Sequence, residues 1–235
     1  MKENNEEKKQ FRISPSKIGD LINCPRCLWL YYRYGIERPE GIFPSLPNGM
    51  DGVFKKYFDS YRAVDRTPPE ILGKIEGKLF KDTEKLNMWR TRTNGLKAEF
   101  KEFNILLKGL IDDLLVTDDN KYIPFDFKTR GYPIKENSHS YYKTQLDLYA
   151  LLFEKNNMEP ADYGYLLFFS PVNYSRNLAK FKTELVKVDV NPQRGYEVLK
   201  KTYQIITSEL PLPSDDCQYC KYRNLKEDFK KEKES

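Results

Sequence analysis

The sequence predicts an α/β fold, a mixed central sheet flanked by helices, with the two ends of the chain joined through a four-cysteine metal site. Three observations carry this reading. Two apolar runs, Leu106–Val116 and Tyr122–Phe127, flank Asp118-Asp119-Asn120, whose turn chemistry suits a β-hairpin. A helix-period pattern from Ser140 to Asn156 follows, with two more strand-like runs beyond it, Tyr163–Ser170 and Leu178–Val190. All four cysteines fall in two C-x-x-C pairs, 24/27 and 217/220, that bracket these elements.

Taken in order, residues 1–10 are charged and read as a disordered tail. Structure is expected to begin at Ser14-Pro15-Ser16, where a serine can cap a helix running toward Leu21. Cys24-Pro25-Arg26-Cys27 interrupts it, and a second helical stretch ends at Gly35, with Trp29, Tyr31 and Tyr32 read as packing residues. Arg33 and Arg38 are surface arginines with the option of a phosphate contact. Pro39 to Asn48 reads as a loop, and a helix from Gly49 to Arg62 would bury Val53, Phe54, Tyr57, Phe58 and Tyr61. Thr67 to Asn94 opens on a Pro-Pro break and carries two short amphipathic pieces, giving a small helical lobe over about 65–95. Lys97 to Phe103 alternates as an edge strand would. After the Ser140–Asn156 helix and the last two strands, Asn191-Pro192 caps a helix reaching Ser208, stopped by Pro211 and Pro213. A charged tail follows from 225, leaving 11–224 as one domain.

At 235 residues the chain can bury one sizeable core. A net charge of +5, from 40 basic and 35 acidic residues, excludes a histone-like polycation while leaving room for a nucleic acid partner. No apolar run approaches the ~20 residues that span a bilayer, so no membrane role is expected. The start, MKENNEEKKQ, has no apolar signal core, and a cytoplasmic location follows as the expectation. In that compartment paired cysteines are metal ligands rather than disulfides.

The chemistry concentrates in the hairpin. Asp112 and Asp126 stand where apolar residues are usual, and Lys128 shares a strand face with Asp126 at the side-chain period of two. Such groups are costly to desolvate unless they bind something, and a divalent metal would use both carboxylates. Asp113, one step along, should face the opposite side.

These residues resemble the PD-(D/E)XK nuclease superfamily, in its RecB-like branch. Gly109-Leu110-Ile111-Asp112 matches its G-x-x-D, Asp126-Phe127-Lys128 its D-x-K, and Gln145 to Tyr149 its Q-x-x-x-Y on the following helix. The resemblance implies a restriction-endonuclease-like fold. It also implies Mg²⁺ or Mn²⁺ held by Asp112, Asp126 and the Phe127 carbonyl, with Lys128 positioning the attacking hydroxide and Gln145 and Tyr149 completing the site. Glu99 falls where many members carry an acidic residue, either as an outer group of the site or as a solvated strand residue. The sequence departs from the family at the helix that usually carries a metal-binding histidine. The matching position is Val53, the chain's one histidine is His139, and Asp51 offers a carboxylate in place of imidazole or simply suits a helix N-terminus.

Joining the cysteine pairs 24/27 and 217/220 closes a loop of about 190 residues, whose closure entropy is about 5 kcal/mol. That marks a structural staple. Nucleases of the AddB type and those of CRISPR adaptation, which the chain resembles, staple their termini with a cysteine-bound iron–sulfur cluster, implying [4Fe–4S] here. Their usual split is one cysteine before the core and three after it, whereas two C-x-x-C pairs also describe structural Zn²⁺. The expected activity is metal-dependent hydrolysis of DNA phosphodiesters, exonuclease-like on single strands or ends. The rival readings are a non-cleaving nucleic-acid-binding module and a metal-stapled scaffold for partner proteins.

Overall fold

The computed structural model describes residues 10–39 and 45–224, and the two expected tails lie outside them apart from Gln10. A strand β1 (Phe11–Ile13) precedes the expected start of structure; three residues are too few to show a period in sequence. Helix α1 (Pro15–Leu21) is capped by the Ser14 hydroxyl on the Lys17 amide. Helix α2 (Pro25–Tyr34) ends at Gly35, whose left-handed φ of 65° suits a residue without a Cβ.

Helix α3 spans Ser45–Arg62, so the last four residues of the expected Pro39–Asn48 loop are helical. Pro47 causes no break because it sits in the first turn, where its missing N–H has no partner to lose. Phe54, Phe58 and Arg62, four apart, form the buried stripe. Val53 falls one residue off it and is 55% exposed, against the expectation that it would be buried.

The 65–95 stretch contributes a short strand β2 (Lys78–Leu79) and a single helix α4 (Thr83–Arg90) capped by Asp82, and buries Ile71, Leu79, Leu86 and Trp89. Strand β3 (Leu96–Phe100) stops earlier than predicted. A 3₁₀ turn (Lys101–Phe103) takes over, and Asn104 at φ 50° leads into β4 (Ile105–Gly109).

The run expected as one strand, Leu106–Val116, is two. β4 pairs with β1 and β3, whereas β5 (Asp113–Val116) pairs with β2 and β6 (Tyr122–Thr129), with Leu110–Asp112 between them. A helix α5 (Ser140–Lys155) then crosses over to β7 (Tyr163–Ser175), which lies parallel to β6, and β8 (Leu178–Asp189) returns antiparallel. Strand β7 runs five residues past the predicted Ser170, because Arg176 and Asn177 adopt the two left-handed conformations of a tight hairpin turn. Helix α6 (Pro192–Thr207) is capped by Asn191 as expected.

The five-stranded sheet, in order β2-β5-β6-β7-β8, has a core on each face. On one, Phe54 of α3 stacks on Phe169 and Phe58 packs on Phe125 and Phe127. On the other, the side chains of α5 bury Leu166 and Phe168 along with α1, α2 and α6. Alternate residues of β6 therefore serve different cores, and Asp126 and Lys128 fall on the α5 side. Among the described residues no helix is long and apolar enough to cross a membrane.

Candidate active site

The G-x-x-D stretch is shaped by the helix that packs over it. A Cβ on Gly109 would meet Leu152 Cδ1 at 2.7 Å and Tyr149 Cε1 at 3.0 Å, so only glycine lets α5 approach this closely. Three residues later the chain has left β4 without yet entering β5, and the Tyr149 hydroxyl donates to the Leu110 carbonyl at 2.8 Å within that break. Asp112 thus sits at a bend rather than within a strand. Its Oδ2 accepts from the Phe127 amide at 3.1 Å, which brings it beside Asp126 on β6.

Asp126 is buried. Its Oδ1 accepts from Gln145 Nε2 at 3.2 Å, and its Oδ2 lies against the Lys128 ammonium without making a hydrogen bond. Burial pushes its carboxyl up to about 7, with Lys128 opposing and the neighbouring Asp112 adding to the rise. Lys128 is held by Gln145 Oε1 at 3.2 Å and lies 4.6 Å from the centre of the Tyr142 ring. Burial would lower its pKa, but Asp126 and Asp112 outweigh that and raise it, so it stays an ammonium. Gln145 also donates to the Tyr149 hydroxyl at 2.9 Å, as their i, i+4 spacing allows. Burial, then Asp126 and Asp112, push the Tyr149 phenol far up, leaving it a neutral donor.

These residues line a cleft of about 280 Å³ together with Asp51, Leu110 and Phe127. Asp51 faces the cleft from the first half of α3, but its Oδ2 is engaged by Lys55 at 2.6 Å. Lys55 also contacts Asp112 Oδ1 at 2.7 Å. The sequence reading did not single out this lysine, and the signal available for it was its four-residue spacing from Asp51. The donor chemistry fits a hard divalent cation at Asp112 and Asp126: two oxygen-bearing carboxylates side by side, one with a buried oxygen lacking a hydrogen bond. Asp113 turns the other way, wholly buried against Arg62 and Arg90. Glu99 is exposed on β3, and His139 stands at the N-terminus of α5.

Outside this cleft, Cys24, Cys27, Cys217 and Cys220 are all buried, with Sγ atoms within 4.8 Å of one another. Among the described residues this is the one group of three or more His, Cys, Asp or Glu side chains gathered so closely. Burial pushes the Cys24 thiol up, yet hydrogen bonds from the Ser214 and Cys27 backbone and from the facing thiols bring it down to about 6. Arg38 hydrogen-bonds Cys27 and lies over the Tyr219 ring, so it serves this centre. Around it, Trp29 donates to the Ser208 carbonyl and Arg26 to the Pro211 carbonyl, both at 2.9 Å.

A solved structure described as the crystal structure of SSO0001 is similar at 16% identity and a TM-score of 0.39, covering 86% of this chain and 79% of its own. The profile of the PD-(D/E)XK nuclease superfamily matches residues 50–225, from the cleft side of α3 through the second cysteine pair. With that match spanning most of its length, the chain belongs to the PD-(D/E)XK nuclease superfamily, a group of phosphodiester-cleaving hydrolases.

Proposed function

We propose that the protein is a Mg²⁺- or Mn²⁺-dependent deoxyribonuclease, acting on single strands or from DNA ends. The observation that carries this reading is the convergence of Asp112, Asp126, Lys128, Gln145 and Tyr149 on one cleft, with two carboxylates side by side and Lys128 paired to the buried one. Asp112 and Asp126, with the Phe127 carbonyl, would hold the ion. When bound, it supplies Lewis acidity, activating water and neutralising charge on the scissile phosphate. Lys128 orients the attacking oxygen and stabilises the negative charge that develops on the phosphate. Gln145 positions Lys128 and Asp126 together, and Tyr149 fixes the bend that carries Asp112.

For the four-cysteine centre, the sulfur spacing supports a single tetrahedral Zn²⁺ over the [4Fe–4S] cluster that the family resemblance favours. Zn–S bonds of about 2.3 Å make a tetrahedron with edges of about 3.8 Å. Three of the six Sγ pairs lie at 3.6 to 3.8 Å, and all four sulfurs are within 4.8 Å of one another. A four-iron cluster binds each thiolate on a different corner iron, which spreads the sulfurs well apart.

The test is incubation of end-labelled linear DNA, circular single strands and RNA with the protein in Mg²⁺, Mn²⁺ or chelator. Cleavage of linear DNA that requires the divalent ion, with circles resistant, is the expected result. Binding without cleavage would instead select a non-cleaving module, and no binding at all a scaffold for partner proteins.

A further inference from the structure

Two carboxylates of the cleft, Asp51 and Asp112, are already bridged by a cation other than Lys128. The Lys55 ammonium lies 2.6 Å from Asp51 Oδ2 and 2.7 Å from Asp112 Oδ1, bridging two carboxylates that would otherwise repel. Lys55 follows Asp51 by four positions on α3, an order that also suits the helix dipole. The lysine is largely shielded from water: burial would lower its pKa, but Asp112 and Asp51 hold it above its ordinary value.

We infer that Lys55 is a resident cation of the active site, filling the position between Asp51 and Asp112, so that the cleft takes one divalent ion and Asp51 holds lysine rather than metal. The inference rests on the metal-dependent reading above. Two further observations carry it. Asp51, Asp112 and Asp126 do not gather closely enough to share one ion among the described residues, which leaves Asp51 on the far side of the lysine. The charges also balance. With Asp126 ionised, as a bound cation would hold it, three carboxylates and two ammonium groups leave one net negative charge, and one divalent ion turns this to one net positive charge. A phosphodiester monoanion matches that charge, whereas a second divalent ion would leave three positive charges facing it. Lys55 thus does for the substrate phosphate what a second metal does in two-ion sites: it supplies positive charge at the shared carboxylate.

The experiment is a Mn²⁺ titration of the full chain with its cysteine centre loaded, following free Mn²⁺ by electron paramagnetic resonance. Wild type is expected to bind one ion per chain in the cleft, and Lys55→Arg also one. Lys55→Gln is expected to bind two, because it opens the Asp51–Asp112 pair. Should Lys55→Gln fold poorly, Asp51→Asn serves: it is expected still to bind one Mn²⁺ per chain, since Asp51 holds lysine rather than the ion. Two ions in wild type, one in folded Lys55→Gln, or no ion in folded Asp51→Asn would overturn the inference alone. No Mn²⁺ bound to wild type, with no cleavage, would overturn it together with the metal-dependent reading.

Discussion

Arg90 donates from Nε to the main-chain carbonyl of Asp112 at 2.8 Å, so a residue of α4 fixes the backbone that carries a candidate metal ligand. The same guanidinium reaches Asp59 at 2.7 Å and Asp113 at 3.4 Å, and Arg62 pairs with both of those carboxylates. Asp113 is wholly buried beneath this network. Removing its charge leaves Arg62 and Arg90 to share the single carboxylate of Asp59, which destabilises by about 3 kcal/mol. Asp113→Asn should therefore melt about 10 °C below wild type, given the 2–4 °C per kcal/mol of chains this size. An unchanged melting temperature would mean that the network is incidental.

Asp126→Asn should lower cleavage about a thousandfold or more, because the substituted amide cannot supply the negative charge that holds a divalent ion. DNA affinity, measured by fluorescence anisotropy in chelator, should stay within about twofold, since the change touches a buried group of the cleft and no surface cation. Wild-type cleavage by this variant would move the chemistry elsewhere in the molecule.

The parts of the site that were legible in sequence are those whose partners lie a few residues apart. Asp126 and Lys128 share a face because strands alternate, and Gln145 meets Tyr149 because helices repeat near four. The two C-x-x-C pairs likewise announced a shared centre, and their sulfurs do converge. What stayed hidden depends on contacts between distant segments. The break at Leu110–Asp112 arises from α5 pressing on Gly109, about forty residues upstream of Tyr149, while the apolar run itself reads unbroken. Lys55 and Arg90 looked like two ordinary members of a set of 40 basic residues, since nothing local ties either one to Asp112. Val53 was misassigned because a helical stripe moves by one position when Phe54 and Phe58 take the deepest sites.

Tyr149→Phe isolates the bend from the carboxylates themselves. It removes the hydrogen bond to the Leu110 carbonyl and the one from Gln145, at a stability cost of about 1–2 kcal/mol. A ligand two residues away would be left less well placed, and small misplacements at a reacting centre lower rates by tenfold to a hundredfold. The expected outcome is a kcat reduced by that factor with DNA binding retained. A stable variant with wild-type kcat would reduce Tyr149 to a packing residue.

The cysteine centre joins segments 190 residues apart, from Cys27 to Cys217, and the metal proposed for it can be read without any activity. Purified under nitrogen, the protein should be colourless and contain about one zinc per chain by plasma mass spectrometry, because a filled d shell gives no visible absorption. A brown protein with iron and acid-labile sulfide would replace zinc with the cluster. Cys217→Ser should lose the metal in either case. Hydrogen bonds from Trp29 to Ser208 and from Arg26 to Pro211 would then hold the ends alone, and they are individually worth only about 1 kcal/mol. Limited proteolysis should cut first near Cys24 or Cys220, while the 109–149 region stays protected within its two cores. A metal-free Cys217→Ser protein that resists protease as well as wild type would remove the staple from the account of this fold.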